Sequence, residues 1–416
     1  MSDGMSKVTF LTAGILPVPA VDGGAVEGLV ETLLRDNEVS PRYDFSVISI
    51  WNDRAVTASK EYRHTEFHFL QPPALIKLVD KLTFSIVKHI LHKRNISAYR
   101  YIFERLWFIR KTGNLIAAKD FGTLVIENHP SIYLALKMKG NATRYAGRYY
   151  YHLHNEFSDL YGCADIARKA NAVLSISNYI QDSYTHLLGG LSASQKRILM
   201  NCVDYEKYSK TPPTELIISF RQKYGLTIND FLFVFTGRIT PEKGVKELLE
   251  GFNLAREKMP DAYLLIAGKA FFGSDIRSDY EKEVNELAKE ADDRVVFTGF
   301  IPHCQMPIFY AASDVCCFPS VWEEPACLSV VEGMASGKPV ITTVSGGIPE
   351  YAGGDGAILL QRGEGLSERI AEAMVKVYYD KELRGTLACK GRIRAKQFDS
   401  RTYLDRFSEC IGTEAN

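Results

Sequence analysis

FVFTGRITPEKGVKELLEGF (Phe233–Phe252), YLLIAGK (Tyr263–Lys269), VVFTGF (Val295–Phe300) and YAASDVCCFPSVWEEPACLSVVEGMASGKPVITTVSGGIPEYAG (Tyr310–Gly353) follow one another along this chain. Their apolar, β-branched cores, Phe231–Thr236, Tyr263–Ala267, Val295–Thr298, Val315–Phe318 and Pro339–Thr343, read as buried strands. Helical patterns separate most of them. Strands that alternate with helices predict parallel sheets covered on both faces.

The same alternation runs toward the N-terminus, with runs at Val8–Ala13, Phe45–Ile50, Thr123–Ile126 and Ala172–Ile176. Lys7 followed by VTFLTAGILPVPAV imitates a short signal peptide, but Asp3 offsets the one cation and the segment runs directly into AVDGGAVEGLVETLL. Val8–Ala13 is therefore read as a first strand, and Ala25–Leu34 as the helix after a glycine turn. KYSKTPPTE (Lys207–Glu215) is polar, with Pro212 beside Pro213, and reads as a linker between two α/β halves. The expected division is residues 1–206, residues 207–395, and a tail at 396–416 whose helix returns to the first domain.

The 416 residues suffice for two to three domains with ample cores. At 46% hydrophobic and 24% charged, the chain is too apolar for a disordered one. Fifty basic and fifty acidic residues give zero formal net charge, so an overall basic nucleic-acid binder is excluded, and no nucleic-acid partner is expected. No apolar run reaches the roughly 18 residues of a membrane span. None of the eight cysteines forms a Cys-x-x-Cys pair, and a reduced, cytoplasmic chain is the simplest expectation. The charge is uneven, however. Ala74–Asp120 holds ten basic and three acidic residues, interleaved with Leu, Ile and aromatic side chains. Lys77–Lys119 thus suits either peripheral contact with an anionic membrane, the inner face of the plasma membrane, or two amphipathic helices with solvated faces.

The order and spacing of the quoted stretches resemble the retaining, nucleotide-sugar-dependent glycosyltransferases of family 4. NCVDYEKY (Asn201–Tyr208) is similar to the Asn-Gly-Val-Asp element of that family, with Cys202 in place of the glycine. The resemblance implies an α/β fold of GT-B type: two Rossmann-like domains facing a central cleft, with the acceptor on the first and the nucleotide sugar on the second.

Several residues then gain candidate roles. Gly23 and Gly24 form a strand-to-helix turn where backbone N–H groups can approach a diphosphate. Arg238 and Lys243 flank the turn after the first strand of the second half, where residues point into a crevice and can balance a diphosphate. The resemblance implies that Glu324 contacts hydroxyls of the transferred sugar, Glu332 the ribose, the N–H groups of Leu328 and Ser329 the distal phosphate, and the backbone of Phe300–Ile301 the base. Ala326-Cys327 stands where the family more often has Phe-Gly, which leaves the sugar open. His152 or His154 of YYYHLHNE matches the family's histidine beside the reacting carbon, and His154-Asn155 is the better match.

SGKP (Ser336–Pro339) fails as a phosphate loop, because Pro339 stands where a Ser or Thr would bind magnesium. There is no G-x-G-x-x-G, no Asp-x-Asp and no His/Glu group at metal spacing. No metal and no cofactor are expected, only a nucleotide-sugar donor, with UDP-sugars favoured. The expected activity is retaining transfer of a hexosyl group to a saccharide or lipid-linked saccharide acceptor in bacterial cell-surface polysaccharide synthesis. A nucleotide-sugar epimerase of similar architecture and a non-catalytic subunit of a polysaccharide assembly complex are the alternatives.

Overall fold

The computed structural model describes residues 5–89, 101–268, 279–291 and 293–412. The Lys88 side chain, Lys93, Arg94 and Arg100 of the basic segment, and Lys269, lie outside the described residues. The chain divides into two compact units, Met1–Met200 with Arg401–Asn416, and Asn201–Ser400.

The first unit is built on a parallel sheet of seven strands: β1 (Ser6–Leu11), β2 (Tyr43–Ile50), β3 (Thr65–Leu70), β4 (Thr123–Glu127), β5 (Tyr149–Leu153), β6 (Ala172–Ser175) and β7 (Lys196–Ile198). Their order is β3-β2-β1-β4-β5-β6-β7. The second unit has six: β8 (Phe231–Thr236), β9 (Ala262–Ala267), β10 (Val295–Gly299), β11 (Val315–Phe318), β12 (Val340–Thr343) and β13 (Ile358–Leu360), ordered β10-β9-β8-β11-β12-β13. Central strands are buried along their length, as at Leu124–Glu127 and Leu232–Phe235, which is why they read as continuous apolar runs. In each sheet the chain first winds one way and then the other. The order reverses between β1 and β4 in the first unit and between β8 and β11 in the second. Crevices that hold ligands open at such reversals, outside the carboxyl ends of the strands.

Several elements differ from the sequence reading. β1 ends at Leu11 rather than Ala13, because Gly14 turns the chain at φ 69°. The following helix continues to Val39. β3, β5, β7 and β13 were not expected as strands. β3 (TEFHFL) and β7 (KRI) are polar edge strands, and the tyrosines of β5 (YYYHL) hide a fully buried run.

The expected linker is not one. Tyr205–Ser209 and Thr214–Lys223 are helical, and both belong to the second unit. The boundary falls before Asn201 rather than after residue 206. The Val203 N–H donates to the Phe398 carbonyl (2.9 Å), the Ser400 N–H donates to that of Val203 (2.8 Å), and Tyr208 is buried. At the other end, the Tyr403–Ile411 helix belongs to the first unit. Phe407 packs 5.7 Å from Phe10, the Tyr43 hydroxyl donates to Ser408 Oγ (2.8 Å), and that of Tyr150 donates to the Ile411 carbonyl (2.8 Å). Burial of Leu404, Phe407 and Ile411 stabilises this attachment by about 1.5–3 kcal/mol per side chain.

The basic segment forms two helices, Ala74–His89 and Ile102–Ala118. The buried Asp80 joins them by accepting the Phe103 and Glu104 N–H groups (3.0 and 2.8 Å), which caps the second helix from the first. Among the described residues, no helix is long and apolar enough to cross a membrane.

Candidate functional site

In the second unit the expected residues gather at the β8/β11 reversal. Gly244 (φ 69°) caps the turn after β8, and a Cβ there would strike the Pro319 carbonyl beyond β11. This close approach sets Lys243 against Glu324. The ammonium donates to both carboxylate oxygens (2.7 and 2.8 Å), with only 19% and 9% of the two side chains exposed. Glu324 Oε2 also accepts from Trp322 Nε1 (2.8 Å) and Ser320 Oγ (3.1 Å). Three bonds occupy Oε2 and one occupies Oε1, so Oε1 retains capacity for a hydroxyl donor. Neither Trp322 nor Ser320 was singled out from the sequence.

Glu332 lies on the Leu328–Ala335 helix, and its two oxygens accept from the Tyr208 (3.0 Å) and Tyr310 (2.8 Å) hydroxyls. Burial, reinforced by the adjacent carboxylate, raises both phenols above their ordinary range, so they stay donors. Lys207 Nζ lies 3.1 Å from His303 Nδ1, and His303 Nε2 lies 3.2 Å from the Tyr208 hydroxyl. Lysine can only donate, so Nε2 carries the ring proton and the bonds run from Lys207 to Glu332 in one direction. Tyr208, Tyr310 and His303 were missed because nothing at sequence level ties them to a glutamate so distant in the chain.

No side chain caps the Leu328–Ala335 helix; Cys327 stands at its cap position. The N–H groups of Leu328 and Ser329 thus face out from a helix N-terminus with its positive dipole. Arg238 is half exposed and meets only the fringe of Glu242 (3.4 Å). Phe300 is exposed and Ile301 buried, which leaves Ile301 its backbone rather than its side chain for recognition. A separate cavity of about 640 Å³, lined by residues such as Glu247, Glu250, Asn253 and Glu368, includes none of these groups.

In the first unit, Gly23 (φ 80°) and Gly24 (φ 103°) form the turn before the Ala25–Val39 helix, and Gly24 is its cap. The expected anion position at this N-terminus holds the chain's own carboxylate. Glu27 accepts its own N–H, and a Cβ on Gly24 would strike Glu27 Oε2. Burial pushes the Glu27 carboxyl up to about 7, and Glu127 adds to the rise.

His154 follows β5 and is buried, as is His152. Glu127, at the end of β4, lies opposite His152 in register. Its carboxylate meets His152 Nδ1 at 3.1 Å and His154 Nε2 at 3.3 Å. Burial would raise Glu127, but the two imidazoles outweigh it and hold the carboxyl below its ordinary range. Burial, with His152 beside it, lowers His154 to about 4 against the pull of Glu127, so it is neutral at pH 7. Sequence spacing disclosed no such cluster. The topology assembles one, and the three ligand atoms lie within 4.8 Å of one another, close enough to share a cation. Sequence reasoning missed Glu127 as well, because its partners are 25 and 27 residues away, on and just past a neighbouring strand.

The profile of the family described as Glycosyl transferases group 1 matches residues 217–394. The putative glycosyltransferase YtcC of Bacillus subtilis is 23% identical over 398 residues, covering 93% of this chain and 86% of its own length. The lipopolysaccharide 1,2-N-acetylglucosaminetransferase of Salmonella typhimurium is 25% identical over 237 residues, 57% of this chain and 58% of its own. The crystal structure of Anabaena Alr3699/HepE in complex with UDP-glucose has a TM-score of 0.70 to this fold at 22% identity, covering 98% of this chain and 100% of its own. With its two parallel-sheet Rossmann-like units, the chain shares the GT-B type of fold with such solved structures, and the profile of the glycosyl transferases group 1 falls within its second unit.

Proposed function

We propose that the protein is a retaining glycosyltransferase of family 4, which moves a hexosyl group from a UDP-sugar to a hydroxyl of a saccharide or lipid-linked saccharide without a metal ion. The observation that carries the reading is the Lys243–Glu324 pair at the β8/β11 reversal, beside the uncapped helix at Leu328 and Ser329. The UDP-glucose complex of the Anabaena protein supports the choice of donor, and the Salmonella transferase supports a saccharide acceptor.

In this reading the diphosphate lies on the N–H groups of Leu328 and Ser329, with Lys243 and Arg238 balancing its charge. Glu332 holds the ribose, Glu324 orients the transferred sugar through Oε1, and the backbone at Phe300–Ile301 takes the base. Glu324, clasped by three donors, is suited to binding rather than to nucleophilic attack. The acceptor oxygen therefore attacks the anomeric carbon from the face the diphosphate leaves. The C–O bond to phosphate breaks, and the departing phosphate oxygen takes the acceptor proton. Lys243 and Arg238 stabilise the growing negative charge, a contribution of about 3–4 kcal/mol for a well-placed donor. His154 is the first unit's contribution to the reaction. The Gly23–Gly24 turn is free to take an anion only once Glu27 is neutral or displaced.

Thermal unfolding against UDP, GDP, ADP and dTDP in EDTA tests the donor and the metal together. UDP at about 100 times its Kd is expected to add about 2.7 kcal/mol, a rise of several degrees. No rise with any nucleotide would overturn the donor assignment. Slow release of free sugar from the donor would separate a transferase from a binding subunit.

The same reading places the acceptor at an anionic membrane surface. Leu75, Leu78, Leu82 and Ile86 lie along one face of the Ala74–His89 helix and are 49–70% exposed. Lys77 and Lys81 are exposed on the same helix, and Arg110 and Lys111 on the next. An apolar stripe rimmed with cations suits an interfacial helix. Replacing Leu78 and Leu82 with Gln should weaken flotation with phosphatidylglycerol vesicles about tenfold or more, while neutral vesicles bind neither form. Equal flotation of variant and parent would remove the membrane from the reading.

A further inference from the structure

The first unit contains a buried arrangement of which the proposed chemistry uses His154 alone. The side chains of Glu127, His152 and His154 are 1%, 0% and 4% exposed. They stand at the carboxyl ends of adjacent strands β4 and β5, next to the β1/β4 reversal. The two rings lie 4.0 Å apart, centroid to centroid, and both address the one carboxylate. The Glu127 carboxylate also acts through space on Glu27, whose carboxyl it helps to raise.

An ionised carboxylate only accepts hydrogen bonds. The nitrogens that face it, His152 Nδ1 and His154 Nε2, must therefore carry hydrogen. A neutral imidazole has one donor and one acceptor nitrogen, so the bond at one fixes the state of the other. His154, which is neutral, is left with a lone pair on Nδ1. Among the described residues, the buried His152 Nε2 has no hydrogen-bond partner. The two rings share a single anion.

We propose that Glu127 is a positioning residue that fixes the tautomer of His154, so that the imidazole accepts a hydrogen bond from a saccharide hydroxyl through Nδ1 rather than donating one. The inference rests on the reading of His154 as part of a glycosyl-transfer site and adds the direction of its hydrogen bond. Recognition by an acceptor nitrogen selects a hydroxyl and disfavours a carbonyl or a methyl ether at the same place.

The test uses the full chain labelled with [15N]histidine, in which nine imidazoles must be resolved. His152→Gln and His154→Gln assign the two signals of interest. Long-range 1H–15N correlation of the parent protein should show His154 protonated on Nε2. In Glu127→Gln the amide can donate to that nitrogen, and the proton is expected to move to Nδ1. The same variant should lose about tenfold or more in kcat for donor turnover, with donor KM within about twofold, because the ring remains but presents the wrong atom. A parent His154 protonated on Nδ1 would overturn the proposal, whether or not the variant folds. So would an unchanged tautomer in Glu127→Gln. One equivalent of zinc in the purified protein, with both ring signals shifting when EDTA removes it, would overturn it in favour of a metal site. Failure of the transferase reading has a different signature: a parent protein with the expected tautomer and no donor turnover.

Discussion

Lys243→Ala is expected to lower turnover about a hundredfold or more and to destabilise the second unit by about 3 kcal/mol. The two losses have different causes. Turnover falls because the ammonium no longer meets a leaving group that gains charge. Stability falls because Glu324 is left nearly buried without its cation, with only Trp322 and Ser320 donating to it. Removing the second partner should therefore restore stability without restoring activity. Lys243→Ala/Glu324→Ala is expected to unfold at a higher temperature than Lys243→Ala alone and to be as inactive. Additive stability losses in that double-mutant cycle would show that the pair is not coupled. Arg238→Ala provides the contrast. Its guanidinium is half exposed and only loosely paired with Glu242, so turnover should drop about a hundredfold while stability stays within about 0.5 kcal/mol of the parent.

Glu27→Gln is expected to stabilise the first unit in a pH-dependent way. Burial raises this carboxyl from 4.5 to about 7 on folding. The folded chain thus binds its proton more tightly than the unfolded chain does. That preference stabilises the fold fully below the unfolded value and is lost as pH rises through about 7. Above pH 8 the parent bears the whole difference, up to about 3 kcal/mol, because Glu27 is then ionised beside Glu127 in a poorly solvated place. Glutamine carries no charge at any pH. The variant should accordingly unfold several degrees above the parent at pH 8 and at nearly the same temperature at pH 4.5. A constant offset across that range would mean that glutamine changes packing rather than charge.

The second unit was largely legible in the sequence. Its central strands β8, β9, β11 and β12 are largely buried, so each reads as an unbroken apolar run, and most of its site residues follow soon after a strand end. Lys243 and Glu324 could be singled out for that reason, although their mutual bond could not. The first unit was less legible. β3 and β7 carry charged residues at the sheet edges, and β5 is written in tyrosines and a histidine. Residues brought together by pairing in register, such as Glu127 with His152, leave no local pattern, because their spacing depends on the length of the connection between β4 and β5. Tyr208 was obscured in another way. One buried phenol within a polar, proline-containing stretch is outweighed by its neighbours when composition is averaged, so the stretch reads as a linker.

The place of the last helix has a consequence for the order of synthesis. Phe407 completes an aromatic cluster with Phe10, Tyr43 and Phe45, residues that leave the ribosome more than 360 positions earlier. The second unit, by contrast, runs continuously from Asn201 to Ser400. Domains generally fold as units during translation, beginning from the N-terminus. Here the first unit to begin is the last to finish. Its core must wait, with the Phe407 position unfilled, until the whole second unit has been made.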